Sequence, residues 1–257
     1  MKPLNPKVSD WSGKRVWIIG ASTGIGEALA RDLAGLGAWL VLSARGVDRL
    51  DTLARSLPGT SVLPLDLSDS AALPEAACRA SEKLGGLDMV IFNAGTYQPL
   101  RAWELTPQNI RATLNLNLLG IMDGVAAVLP RMLVAGQGHV VIVGSVAGYR
   151  GLPKAAVYGP SKAALINFAE SIYMDLAARG IAVTVVNPGF VATPLTAQND
   201  FKMPALITAQ QAANAIIKGL ARGEFEIHFP KRFSCFLKLL RILPARLYFA
   251  LIGRTAR

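Results

Sequence analysis

The amino-acid sequence predicts an α/β fold, a seven-stranded parallel sheet doubly wound with helices on both faces, and three observations carry that expectation. Short apolar runs alternate with helical segments from one end of the chain to the other, the pattern of a parallel sheet wrapped by helices. No Pro/Ser-rich linker, repeat or low-complexity segment divides the 257 residues, a length that suits one α/β domain with a substantial core. The first apolar run passes directly into a glycine cluster and then a helix.

Strands are expected at Val16–Ile19, Trp39–Ser43, Ser61–Leu65, Met89–Asn93, His139–Val143, Ala182–Asn187 and Glu224–Phe229. Gly37 and Gly180 mark helix ends, because glycine takes a left-handed conformation at little cost. Thr208-Ala-Gln-Gln211 has the spacing of a capping box and opens the last helix of the core. Another helix should begin near Val157, early enough for Pro160 to be tolerated. His139 and His228 are read as strand residues, and no cluster of side chains implies a metal.

The opening unit has chemical content. Arg15-Val-Trp-Ile-Ile19 is a buried strand that runs into Gly20-Ala-Ser-Thr-Gly24-Ile-Gly26, followed by a helix from Glu27 to Leu36. Glycines let the backbone approach a pyrophosphate, and the free N–H groups of a helix N-terminus, with their partial positive charge, bind its oxygens. The spacing is G-x-x-x-G-x-G, and three glycines after a strand are often only a tight turn. Here a strand precedes and a helix follows. A Rossmann-type fold and a dinucleotide are therefore expected, with Gly20, Ser22, Thr23, Gly24, Ile25 and Gly26 against the phosphates.

The second chemical unit is Tyr158-Gly-Pro-Ser-Lys162, with Ser145 thirteen residues upstream of the tyrosine. Spacing i, i+4 puts the phenol and the ammonium on one helix face. A free tyrosine has a pKa of about 10, too high for a base near neutrality. A cation about 4 Å away at an effective dielectric of ~20 contributes ~4 kcal/mol, so Lys162 is expected to lower the Tyr158 pKa. Alone, Tyr-x-x-x-Lys is two common residues on a helix.

These units occur together with Asn93-Ala-Gly95, Asn117-Leu-Leu-Gly120 and Pro188-Gly189. In order and separation the five motifs resemble those of the classical short-chain dehydrogenase/reductase (SDR) family, and the resemblance covers about residues 12–230. It implies a catalytic tetrad: Tyr158 as acid/base, Ser145 hydrogen-bonded to the substrate oxygen, Lys162 lowering the Tyr158 pKa and holding the nicotinamide ribose, and Asn117 holding a water in a proton relay to Lys162. It also implies cofactor contacts from Asp66 and Leu67, from Asn93, Ala94 and Gly95, and from Pro188, Gly189, Val191 and Thr193.

The second strand ends Leu42-Ser43-Ala44-Arg45, about where NAD enzymes place an acid on the ribose 2′-hydroxyl. No carboxylate ends the strand to repel a 2′-phosphate, and Arg45 offers a planar cation to hold one, so NADP(H) is expected over NAD(H); against this, Asp48 and Arg49 lie close by, and the other reading of Arg45 is a solvated helix-start residue. Asp66 has two readings, a contact to the adenine amino group and, with Ser68 and Asp69, a helix cap. The segment from Phe190 to about Ile207 carries Leu195, Phe201, Met203, Leu206 and Ile207, a set that favours a hydrophobic alcohol or carbonyl substrate.

Charge is uneven. Seven of the 27 basic residues and none of the 17 acidic ones lie between His228 and Arg257, so the tail carries +7 of the total +10 and the body only +3. Residues 231–257 are read as a basic amphipathic helical tail on a 1–230 dinucleotide-binding domain. Ser234, Lys238 and Arg241 form one stripe, and Phe233, Phe236, Leu237, Leu240 and Leu243 a wide apolar arc, before Pro244 interrupts the helix. The interspersed cations and the proline exclude a span of about 20 apolar residues. Two uses of the tail stay open, an anionic membrane surface and a partner subunit; the dense aliphatic face argues against nucleic acid. Cys78 and Cys235 have no metal-type spacing and no signal peptide precedes them, so a cytoplasmic location is expected, peripheral on the membrane where the tail docks. By analogy the helices carrying Asn117 and Tyr158 pair subunits as a homodimer or homotetramer. Two functions follow: an NADP(H)-dependent oxidoreductase interconverting a lipophilic ketone or aldehyde and its alcohol by hydride transfer, or a non-catalytic dinucleotide-binding sensor or membrane adaptor.

Overall fold

The computed structural model describes residues 2–253. Seven strands form one parallel sheet: β1 (Arg15–Ile19), β2 (Trp39–Ser43), β3 (Thr60–Val62), β4 (Met89–Phe92), β5 (Gly138–Val143), β6 (Ile181–Pro188) and, after a separate two-residue pair β7 (Val191–Ala192) and β8 (Ile207–Thr208), β9 (Glu226–Phe229). The order across the sheet is β3-β2-β1-β4-β5-β6-β9. Every residue of β4 and β6 is buried, as expected of parallel strands covered on both faces.

Four strands differ from their expected limits by one residue at one or both ends, and β3 and β9 by two or more. The regular ladder of β3 ends at Val62, although Leu63 N and Leu65 N still donate to Leu42 O (3.0 Å) and Ala44 O (3.2 Å), so Pro64 stands on the open edge, where no N–H is needed. The Glu224 amide is already used, bonding Gly219 O at 3.1 Å to close the preceding helix, so β9 begins two residues later.

The helices of the body are α1 (Gly24–Gly35), α2 (Val47–Arg55), α3 (Leu73–Leu84), α4 (Pro107–Leu114), α5 (Gly120–Ala135), α6 (Tyr158–Leu176) and α7 (Ala209–Arg222). Alternate residues of each strand serve opposite faces: Val16 and Ile18 pack with Leu29, Leu33 and Ile216, whereas Trp17 and Ile19 pack with Ala77, Val125 and Leu165. Thus α1, α2 and α7 cover one face and α3, α5 and α6 the other. Thr208 and Gln211 make the expected reciprocal cap of α7, and Gly180 is left-handed after α6.

The chain runs outward from β1 to β3, then returns to place β4 on the other side of β1. At such a reversal the loops leaving the two central strands diverge and open a crevice at their carboxyl ends. The loops that follow β1 and β4 carry Gly20–Gly26 and Asn93–Gly95.

The tail folds as two helices, α8 (Lys231–Arg241) and α9 (Ala245–Ile252), broken at Pro244. It packs against the body, with Leu237, Leu240 and Tyr248 buried. Of its expected polar stripe, Arg241 is exposed, whereas the other two members turn to the body. Ser234 is fully buried against His228 Nδ1 (2.7 Å) and donates to Pro230 O (2.8 Å), and Lys238 pairs with Glu226 at 2.5 Å. Because those polar groups find partners on β9, the apolar arc is divided, and Phe236 is left outside. Arg254 and Arg257 lie outside the described residues.

Candidate active site

Helix α1 begins at Gly24, three residues earlier than expected, so the end of the glycine loop is the first helical turn. Thr23 stands at the N-cap with extended backbone and makes no side-chain capping bond, which leaves the first-turn N–H groups directed at the crevice. Gly26 is buried beneath the loop, where an added Cβ would overlap the Gly20 carbonyl. Gly24 has φ +61° and lies against Thr193, which brings the β7 segment onto the loop. Asn93 Nδ2 donates to Gly20 O at 2.8 Å and joins the two central loops.

A cleft of about 500 Å³ follows. It is lined by Gly20, Ser22, Thr23, Gly24 and Ile25, by Asn93, Ala94 and Gly95, and by Arg45, Asp66, Leu67 and Thr193. Gly26 supports the loop from below. Pro188 and Val191 are buried, and Gly189 lines a different cavity. Leu116 and Leu195 also line the cleft and were not anticipated there; their signal is only that of apolar residues near motifs. Asp66 accepts from Ser68 N at 2.9 Å and Ser68 Oγ at 2.7 Å, and these bonds, aided by the Arg45 charge, hold its carboxyl below the usual range against the opposing effect of burial. It therefore shapes its own loop and faces the cleft. Size, open helix N-terminus and glycine approach fit a dinucleotide.

Asn117 sits in a π-helical turn, Asn115–Leu119, inserted between α4 and α5. Such widened turns recur at functional sites. Its buried amide brackets one residue, with Oδ1 accepting from Thr96 N at 2.7 Å and Nδ2 donating to Thr96 O at 2.8 Å. The long helix is thereby fixed to the loop after β4.

Ser145 ends the β5 segment and caps the short turn Val146–Gly148, accepting from Ala147 N at 3.1 Å. Gly148 lies on the backbone of Lys162, and an added Cβ there would crowd it. That close approach brings Ser145 to Tyr158, the first residue of α6, and both line one cavity. One turn on, Lys162 is buried, with Nζ donating to Val143 O at 2.9 Å and lying 5.7 Å from the centre of the Tyr158 ring. Burial pushes Tyr158 up to about 12, against the lowering effect of the Ser145 hydroxyl, and pulls Lys162 down to about 8. The expected lowering of the phenol pKa is thus absent, because desolvation by burial is the largest influence on it. Near neutrality the phenol is a proton donor.

Beside Tyr158 and Ser145 is a cavity of about 110 Å³ whose lining includes no charged residue. Tyr97 closes one side, edge-on to Tyr158 at 4.9 Å between ring centres. Phe190, Phe201 and Phe233 form the other, with centres 5.6 Å apart for Phe190–Phe201 and 5.7 Å for Phe190–Phe233. Leu195 lines both cavity and cleft, so the two are contiguous. Of the expected apolar set, Leu195 and Phe201 reach the cavity; Ile207 packs into the core, Met203 accepts from Asn199 Nδ2 and Leu206 is exposed. Tyr97 and Phe233 had no sequence signal tying them to the site, and Phe233 comes from the tail.

The tail is held to the same region by a further set of contacts. Arg150 Nη1 donates to Leu240 O (2.6 Å) and Leu243 O (2.7 Å) at the end of α8, and its guanidinium lies 3.9 Å from the centre of the Tyr248 ring. Tyr248 donates to Gly151 O. Glu226 accepts from Tyr149 (2.5 Å), Asn187 (2.9 Å) and Lys238 (2.5 Å), three bonds that outweigh its burial and hold its carboxyl below the ordinary glutamate range.

A nucleotide cleft at the sheet reversal, sharing Leu195 with a cavity walled by a tyrosine and a serine beside a buried lysine, fits a dinucleotide-dependent oxidoreductase. The family pattern described as short chain dehydrogenase matches residues 14–203, and the chain belongs to that family. It is a dehydrogenase/reductase acting on CH–OH groups, which answers the choice between enzyme and silent binder. It is 35% identical over 251 residues to an uncharacterized oxidoreductase of Myxococcus xanthus, covering 96% of this chain and 99% of the relative. An uncharacterized oxidoreductase of Mycobacterium tuberculosis is 31% identical over 242 residues, covering 91% and 95%. Among solved structures, a short chain dehydrogenase/reductase of Burkholderia phymatum in complex with NAD superposes with a TM-score of 0.82 at 24% identity, over 90% of this chain and 94% of that one. A short-chain dehydrogenase of Streptomyces avermitilis gives 0.80 at 23% identity, over 95% and 98%.

Proposed function

We propose that the protein is an NADP(H)-dependent reductase of lipophilic ketones or aldehydes, reversible in principle, with Asn117, Ser145, Tyr158 and Lys162 as its catalytic residues. The observation that carries the proposal is the placing of Tyr158 and Ser145 together in the wall of an uncharged cavity that shares Leu195 with the nucleotide cleft. When bound, the nicotinamide supplies the hydride that reduction consumes. Tyr158 holds the proton that the carbonyl oxygen takes up, and its raised pKa keeps that proton in place near neutrality. Ser145 Oγ donates to the same oxygen and stabilises negative charge developing on it. Lys162 holds the nicotinamide ribose and returns a proton to Tyr158. Asn117, fixed at the π-turn, holds the water that relays protons to Lys162.

Preference for NADP(H) is supported by the rim of the cleft. Arg45 and Arg49 line it, Arg45 is exposed, and Gly46 opens α2 there without a side-chain cap. Two guanidinium groups and a free helix N-terminus suit a 2′-phosphate. The cavity walls support a hydrophobic substrate, since an ionic one would surrender its hydration with no charged partner inside.

The enzyme acts as a homodimer or homotetramer through the outer faces of α5 and α6, where Val134 is 92% and Met174 73% exposed. Its setting is the cytoplasm, peripheral on an anionic membrane through the tail. The test of the catalytic proposal is a panel of hydrophobic carbonyls supplied with NADPH or NADH. Turnover with NADPH on several members is expected; protein that binds NADPH and consumes it with none of them would refute it.

A further inference from the structure

We propose that α8 and α9 form a rigid docking face for anionic phospholipid bilayers and that the aromatic cavity receives its substrate from the bilayer so docked. The second half rests on the cavity being a site for lipophilic carbonyls; the first half does not.

The inner side of the two helices is fully engaged, through Leu237, Leu240 and Tyr248, the Lys238–Glu226 pair and the Arg150 clamp. The outer side is therefore held fixed. On α8 it carries Arg232, Cys235, Phe236, Leu239 and Ile242, at spacings that share one helix face, and Phe236, Leu239 and Ile242 are 54%, 57% and 76% exposed. On α9, Leu247, Phe249 and Leu251 are exposed as well. Exposed cations accompany the apolar set at Lys231, Arg232, Arg241 and Arg246, and no acid occurs in the sequence from His228 to Arg257.

That combination selects the occupant. Large apolar side chains among cations match an interface with anionic headgroups outside and acyl chains below. Helices of 11 and 8 residues are too short to cross a bilayer and lie along it. A second copy placed symmetrically on this face would oppose cation to cation with no acid from the segment to relieve it. Continuity with the cavity comes from α8 itself. Phe233 forms part of the cavity wall and Phe236, three residues on, is part of the outer face; Phe190 and the exposed Phe201 extend the aromatic surface around the cavity.

The test uses the full-length protein and vesicles of phosphatidylcholine alone or mixed with phosphatidylglycerol. Sedimentation with the mixed vesicles only, weakened by salt, is expected. The triple variant Phe236→Ser, Leu239→Ser, Ile242→Ser should lose at least about tenfold in vesicle partition while keeping its melting temperature and NADPH affinity. In a Cys78→Ser background, an environment-sensitive fluorophore on Cys235 should shift to the blue with the mixed vesicles. Equal sedimentation of the triple variant and parent, or an unchanged fluorophore, overturns the docking face. So does a triple variant that turns monomeric when neither protein binds vesicles, since the face would then pair subunits. For delivery, a long-chain carbonyl held in mixed vesicles should be reduced at least about fivefold faster by the parent than by the variant, with a water-soluble carbonyl consumed equally. Equal rates on both substrates overturn delivery and leave docking standing. Vesicle binding without reduction of any carbonyl by either protein overturns delivery through failure of the catalytic proposal.

Discussion

The nucleotide cleft and the substrate cavity share a wall at Leu195 but are built by opposite means. The cleft comes mainly from short stretches that follow β1, β2, β3 and β4, each a strand end with its own local signal, closed by Leu116, Thr193 and Leu195, and its polar groups are backbone N–H donors and polar or charged side chains. The cavity is apolar and draws on the loop after β4, the Ser145 turn, the start of α6, the segment around β7 and, from the tail, Phe233. Phosphate binding depends on backbone geometry that few residues can set, whereas a greasy cavity needs only volume, which distant segments can supply together.

Substitutions should separate the two regions. After Tyr158 itself, the largest effect is expected from Ser145→Ala: removal of a hydroxyl aimed at developing charge should lower kcat by about 10²–10³ with NADPH affinity unchanged by titration. A fall in both would mean that Ser145 mainly shapes the cleft. A change in the shared sheet should strike both regions alike. His139, buried in β5, bonds Thr184 Oγ1 at 2.9 Å, and because that hydroxyl donates to Glu224 O the imidazole must donate through Nε2. Burial pulls its pKa down to about 4 from 6.5. Its contribution is present above pH 6.5 and lost as the pH falls toward 4, roughly 3 kcal/mol in all. Denaturant titrations across that window should show this slope, flattened in His139→Gln.

Smaller, and confined to the cleft, is Arg45→Ala, which should weaken NADPH binding about 10–100-fold and NADH binding little. Equal losses would remove the 2′-phosphate role. The smallest expected change is confined to the cavity. Phe233→Ala should raise KM for bulky carbonyls up to about tenfold and leave NADPH affinity untouched. A matching loss of NADPH affinity would show that the tail supports the cleft as well.

The same contrast explains what the sequence disclosed. The sheet, the glycine loop and the placing of Tyr158 and Lys162 on one helix were legible because each is encoded over a few residues: apolar runs, a strand leading into glycines, an i, i+4 pair. The start of α1 at Gly24 was missed because the last loop glycines serve as helix residues. The pKa of Tyr158 was missed because charge spacing is visible in a sequence and burial is not. Contacts such as Arg150 on the end of α8, or Glu226 beneath Tyr149 and Lys238, join residues up to 93 positions apart and leave no periodic trace. Hence the tail's polar stripe was legible in the sequence, but not that Ser234 and Lys238 turn inward to partners on β9.

Reduction by proton donation from Tyr158 can be examined by single-turnover NADPH oxidation with Tyr158→Phe, using a carbonyl that the parent protein consumes. Loss of at least about 10³-fold in rate, with NADPH affinity and melting temperature preserved, is the predicted result. Turnover within about threefold of the parent would contradict it, and the proton would have to come from another group.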